Sequence, residues 1–256
     1  MSRSLRMLPG LPALVVVGIL AVAGGAAAGF WDSVKQAVGT LGGQPGAPGG
    51  APGGAAPAPE QVAAGVREAL RIGAERAVGL ASRTGGFLDN PDIRIPLPER
   101  LRTAGRTLRA FGMGSQVDAF EETLNRAAER AAGKALPIFG DAVAALTFDD
   151  VNRIWKGGQT AATEYLDRTT RLRLAAEFQP VVRAAAQEVG VTQAYQRLTG
   201  RPELAALVAG TDLDLDHYVT TRALDGVFAL LAAEEKKIRT DPLARTTDLL
   251  RTVFSR

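Results

Sequence analysis

Few side chains in this 256-residue chain could carry acid–base, nucleophilic or metal chemistry. Histidine occurs once, as His217, and cysteine is absent. That excludes a thiol nucleophile, a disulfide framework and a thiolate metal site. By ligand count it also removes most transition-metal sites and leaves only carboxylate ones. A Ser-His-acid triad would have to use His217, and no Gly-x-Ser-x-Gly elbow presents a nucleophile. No Walker-type or Gly-x-Gly-x-x-Gly loop occurs. His217 follows Asp216 at a helix entry, where solvated capping is the expected role. Asp212, Asp214 and Asp216 alternate like the first half of a calcium loop. The sixth position is then His217 instead of Gly and the twelfth Ala223 instead of Glu, so a solvated loop with an N-cap is the expected role. Neither a metal nor a cofactor is expected.

What remains is a set of polar residues placed on helices beside small or apolar neighbours. Asn125 and Glu129 lie among Ala127, Ala128, Ala131 and Ala132, which would let another helix approach closely. Both are therefore candidates for interhelical hydrogen bonds, since polar groups at tight contacts need partners. Arg126 stands four residues from both Glu122 and Arg130, a spacing that suits surface ion pairs. Thr160 fits an N-cap, and Tyr165 a rim-of-core position with a hydroxyl to satisfy. Glu235 and Arg239 are four apart in the favourable order for a salt bridge, with Glu234 adjacent. Carboxylates such as Glu129, Glu164 or Glu235 could serve a hydrolase or lyase only if buried in a cleft.

These residues need elements to position them, and the dominant period from Glu60 onward is helical. Val62, Val66, Leu70, Ala77 and Leu80 form a first stripe, closed by Gly85-Gly86. Leu101, Ala104, Leu108 and Phe111 form a second, ended by Gly112. Ser115-Gln116-Val117-Asp118 has capping-box spacing before a third face of Val117, Phe120, Leu124, Ala127, Ala128 and Ala131, which Pro137 kinks or splits. Thr147-Phe148-Asp149-Asp150 repeats the capping spacing before a helix to Lys156, stopped by Gly157-Gly158. The pattern predicts one helix from about Thr160 and another from about Thr170 with Pro180 inside it. After a looser region to Asp216, Leu224, Val227, Phe228 and Leu231 mark the clearest helix, with Glu234 to Arg239 as its polar end. Thr240-Asp241-Pro242 then opens a last helix facing inward through Leu249, Leu250 and Val253. Ile93-Arg94-Ile95-Pro96-Leu97-Pro98 alternates with period two, yet its prolines forbid a central strand. It reads as an extended loop pinned across the bundle by Ile93, Ile95 and Leu97. The expected fold is all-α, a bundle of about seven to nine helices with this one extended proline-containing loop.

Several blocks of the sequence resemble, in order, a known bacterial family. They are Gly65-Val66-Arg67-Glu68-Ala69-Leu70, Gly86-Phe87, Ile95-Pro96-Leu97-Pro98 and Asn125-Arg126-Ala127-Ala128-Glu129. Further on come Thr160-Ala161-Ala162-Thr163-Glu164-Tyr165, Tyr218-Val219-Thr220, Ala223-Leu224-Asp225-Gly226-Val227-Phe228, Glu234-Glu235, Ile238-Arg239 and Asp241-Pro242. The set is similar to domain-of-unknown-function family forty-one ninety-seven, across nearly all of residues 60–254. The resemblance implies an exported, all-helical protein of Gram-negative bacteria. It implies no reaction.

Composition agrees with export. Residues 1–28 read as a signal peptide: Arg3 and Arg6 begin it, Leu11 to Ala23 is apolar, and Ala26 and Ala28 fit the small-x-small cleavage rule. The rival reading is an inner-membrane anchor over residues 11–30, which carry no charge. Residues 29–59 are expected to hold a short helix, with Phe30, Trp31, Val34 and Val38 on one face, and a Gly/Ala/Pro-rich linker. That short helix could lie close to a membrane or dock on a partner. Residues 60–256 are then expected to be a single helical domain. Without Arg3 and Arg6 the formal charge of +3 falls to +1, which gives no ground for a nucleic-acid partner. The leading expectation is a non-enzymatic periplasmic binding or interaction protein with a protein partner. The alternatives are a carboxylate-based hydrolase or lyase, and a carrier of an apolar ligand inside the bundle.

Overall fold

The computed structural model describes residues 57–188 and 214–255. The signal, anchor and linker readings for residues 1–56 lie outside the described residues, as does Asp212 of the alternating aspartates. Among the described residues every regular element is helical.

Helix α1 (Pro59–Ser82) carries Pro at its first position, where the missing N–H costs nothing. It buries Val62, Val66, Leu70, Ala74, Ala77, Val78 and Ala81, while Leu80 is only half-buried. A turn over residues 83–89 follows, with Gly85 at φ +79, then a second turn over 91–93 and an extended run from Arg94 to Pro98. Ile93 of that turn and Ile95 and Leu97 of the run are buried, although the turn shortens the expected extended segment. Helix α2 (Glu99–Ala110) buries Leu101, Ala104 and Leu108. Phe111 does not complete the stripe. The chain leaves the helix there and reverses at Gly112 (φ +77), which leaves Phe111 74% exposed.

Helix α3 (Gly114–Ala132) buries its whole expected face, Val117 to Ala131. Its start differs from expectation. The helix begins one residue before Ser115, with Met113 at the cap and no capping side chain, and the Ser115 hydroxyl bonds Gln116 instead. The split before Pro137 is real, and the break falls at Gly133-Lys134. Helix α4 (Ala135–Ala144) therefore carries Pro137 in its first turn, where proline is tolerated. Helix α5 (Phe148–Lys156) has the expected capping box: the Thr147 hydroxyl accepts from the Asp150 N–H, and Asp150 accepts from the Thr147 N–H.

Two helices were expected, from about Thr160 and from about Thr170, but a single helix α6 (Ala161–Glu188) runs through Thr170, with Pro180 inside it as expected. Leu166, Leu174, Phe178 and Val182 lie along one fully buried face, and Thr170 satisfies its hydroxyl on the Leu166 carbonyl. That packing outweighs the one backbone bond Pro180 removes. Helix α7 (Leu215–Thr240) packs against α1, α3 and α6. Asp214, not Asp216, caps it by accepting the His217 N–H, while Asp216 pairs with Arg183. Thr240-Asp241-Pro242 does not open the last helix. Asp241 caps a 3-10 turn (Pro242–Ala244), and Thr247 caps helix α8 (Asp248–Phe254), which buries Leu250, Val253 and Phe254.

Candidate functional site

The six candidate residues do not form one cluster. Asn125 and Glu129 meet the extended run, Glu235 and Arg239 meet the start of α6, and Thr160 and Tyr165 lie on the outer side of that same corner.

Asn125 is fully buried on α3 and treats the extended run as a strand would. Its Oδ1 accepts from the Ile95 N–H at 2.8 Å, and its Nδ2 donates to the Ile95 carbonyl at 2.9 Å and to the Glu121 carbonyl at 2.7 Å. One turn on, Glu129 accepts from the Phe87 and Leu88 N–H groups at 3.2 and 3.3 Å and from Arg126 at 2.9 Å. The expectation of interhelical bonds is thus corrected: both residues bind irregular backbone, which has no ladder of its own and must find partners elsewhere. Tyr218 adds a third hold, donating from its hydroxyl to the Pro96 carbonyl at 2.9 Å. On α7, Gly226 lets the Phe87 ring close in; a Cβ there would stand 2.5 Å from the ring.

At the second place, Glu235 caps α6 from another helix. Its carboxylate accepts the Ala162 and Thr163 N–H groups at 3.0 and 2.8 Å and the Thr163 hydroxyl at 2.8 Å. A negative charge at these first-turn N–H groups is favoured by the helix dipole as well as by the bonds. Arg239 donates to Glu235 at 2.9 Å and, through Nη2, to the Ile154 carbonyl in the last turn of α5. One ion pair thereby ties the end of α5 to the start of α6 across Gly157-Gly158. Glu234 and Glu235, at the polar end of the helix, are both buried. Glu234 is paired with Lys237 at 2.6 Å and Arg76 at 3.6 Å.

Thr160 precedes α6, and its hydroxyl donates to the Glu164 carboxylate at 2.8 Å. Tyr165 is half-buried, and its hydroxyl donates to Asp150 at 3.4 Å. Burial first, and the Asp150 charge second, push the Tyr165 phenol above its usual range. Asp150 is held below the ordinary aspartate range, chiefly by the Thr147 hydroxyl, with the Thr147 N–H and Arg153 adding to the effect against its burial.

Three open volumes flank this second place. An apolar crevice of about 20 Å³ lies between Val66, Leu70, Leu231, Ile238 and the Glu235–Arg239 pair. A groove of about 580 Å³ runs between α5 and α6, lined by Asp150, Arg153, Glu164, Tyr165 and Arg168 among others. A recess of about 200 Å³ is formed by Trp155, Lys156, Arg239, Val253 and Phe254. Among the described residues no three of His, Cys, Asp or Glu converge as metal ligands, and no single helix is long and apolar enough to cross a membrane.

Several participants escape sequence reasoning. Buried Arg245 donates to the Ile238 and Arg239 carbonyls at the end of α7, although Asp241 four residues before it suggests an ion pair instead. The Ile154 carbonyl and the walls Trp155 and Phe254 carry no signal either. Thr163 and Glu235 are 72 residues apart, and only the fold joins them.

The chain matches the family model described as Protein of unknown function (DUF4197) over residues 57–255, and it belongs to that family. Nothing among curated proteins or solved structures matches it.

Proposed function

We propose that this member of the family is a non-enzymatic exported binding or interaction protein whose ligand-facing surface is the corner of α5, α6 and α8. One observation carries the reading: the buried carboxylates Glu129, Asp150, Glu234 and Glu235 are all engaged inside the fold. General acid–base work needs a carboxyl group that can exchange a proton with a substrate. Here Glu129 and Glu235 are occupied by main-chain N–H groups and an arginine each, and Asp150 is stabilised in its ionised form. Glu164, on the groove between α5 and α6, is held by Thr160. The apolar crevice has room for about one water molecule, which argues against carriage of an apolar ligand inside it.

In this reading the chain acts in the periplasm, reached by cleavage after Ala28, with residues 29–59 as a spacer between the folded part and a membrane or partner. Intact mass of the exported species tests the location: a mature form beginning near Gly29 is expected, and a full-length membrane-pelleted form would contradict it. The role of the carboxylates is tested by thermal melts of Glu129→Ala and Glu235→Ala. Residues that hold the fold lower the melting temperature by several degrees when truncated, at roughly 2–4 °C per kcal/mol for a domain of this size. Catalytic or binding groups that store unpaired polarity instead relax when removed. Melts equal to or above the parent would favour a carboxylate enzyme.

A further inference from the structure

The two larger open volumes at this corner differ in charge, and the difference selects a ligand. The groove between α5 and α6 sets Arg153 and Arg168 against Asp150 and Glu164, so it favours neither sign. The recess at the end of α5 is lined by two cations, Lys156 and Arg239, by Trp155 and Phe254, and by Val253, with no carboxylate among its walls. Arg239 is already oriented: Glu235 and the Ile154 carbonyl hold two of its nitrogens, and its guanidinium lies 5.7 Å from the Phe254 ring centre. Glu235, which does not line the recess, offsets the charge of Arg239 as its ion-pair partner. Lys156 is exposed on the rim, and among the described residues no carboxylate pairs with it. The Ile154 carbonyl, which would otherwise repel an anion at this helix end, is taken by Arg239 and the Gly157 N–H.

We propose that this recess binds a small organic anion, with its carboxylate or phosphate on Lys156 and the Arg239 edge and its apolar part between Trp155 and Phe254. At about 200 Å³ and open to solvent, the recess has room for a ligand of a few carbons. Apolar walls and a few convergent polar groups are the usual make-up of such sites. The inference deepens the binding reading above and names its ligand class.

The test uses the exported protein carrying Trp31→Phe, which leaves Trp155 as its one tryptophan. Hexanoate, hexyl phosphate and hexylammonium are titrated, with Trp155 emission and calorimetry read in parallel. Saturable binding of both anions is expected, with none of the cation. Lys156→Ala should weaken the anions about tenfold or more while leaving the melting temperature unchanged. No saturation by either anion at about 10 mM, equal binding of hexylammonium, or an unaffected Lys156→Ala variant would overturn the proposal. So would a response confined to anionic phospholipid vesicles, which would make the site a membrane contact. The Glu235→Ala melt is independent of these titrations, so failure of the ligand class is distinguishable from failure of the binding reading.

Discussion

The hold on Ile95 and the hold on the start of α6 use the same chemistry, a side-chain oxygen receiving main-chain N–H groups, in different surroundings. Asn125 is sealed, with no exposed surface, and its partner is a run of chain that cannot pair with itself. Glu235 retains slight exposure, shares its charge with Arg239, and borders the crevice beside the open corner. A sealed polar group has no substitute partner when it is cut away, whereas water can enter beside an open one. The hold by Asn125 therefore fixes the fold, and the hold by Glu235 both fixes it and borders a surface that something else can touch.

Asn125→Ala should show the largest effect. It leaves the Ile95 N–H and carbonyl unpaired at about 1–3 kcal/mol each, so a loss of about 2–6 kcal/mol is expected. Chemical denaturation measures it, and a loss under about 1 kcal/mol would show that the run is held mainly by Ile93, Ile95 and Leu97. Glu235→Ala should cost less, about 2 kcal/mol, because water entering at the corner can satisfy part of what is lost. Were Glu235→Ala the more damaging of the two, the contrast between sealed and open sites would fail. Gly226→Ala sharpens the first place from the other side. The new methyl would meet the Phe87 ring at 2.5 Å, a rigid neighbour, so about 1–3 kcal/mol of destabilisation is expected in denaturant melts.

Thr147→Val should have the smallest effect, about 1 kcal/mol for a lost cap, with a distinctive pH dependence. Asp150 is held below its ordinary range first by the Thr147 hydroxyl. A depressed carboxyl contributes stability that is present above its unfolded value and lost as pH falls through its folded one. The variant moves the folded value back up, so its deficit in melting temperature should be full at pH 7 and shrink below about pH 4. A deficit that is flat down to acid unfolding would show that Thr147 acts on the helix alone.

Much of the helical framework is legible in the sequence because burial on a helix leaves a periodic trace. The Val117 to Ala131 face, the Thr147–Asp150 box and the Leu224 to Leu231 stripe all occupy the places their spacing predicts. The errors occur where tertiary contacts decide. Thr170 looks like a helix start, yet the buried face of Leu166, Leu174, Phe178 and Val182 carries α6 through it, with Pro180 inside the helix as expected. Ser115 has a capping side chain and the correct spacing, but the reversal at Gly112 starts the helix a residue earlier. The polar residues were legible as groups needing partners. Their partners were not, because a carboxylate 72 residues from the N–H it receives leaves no local pattern.

Hydrogen exchange at three amides tests the central claim, that the buried polar residues hold backbone, most directly. In the parent, Ile95, Ala162 and Thr163 should all be protected, although Ile95 lies in no regular element and the other two are first-turn amides that a helix cannot satisfy itself. In Glu235→Ala, protection at Ala162 and Thr163 should collapse while Ile95 keeps its own. Free exchange at Ala162 and Thr163 in the parent, or retained protection there in Glu235→Ala, would contradict it.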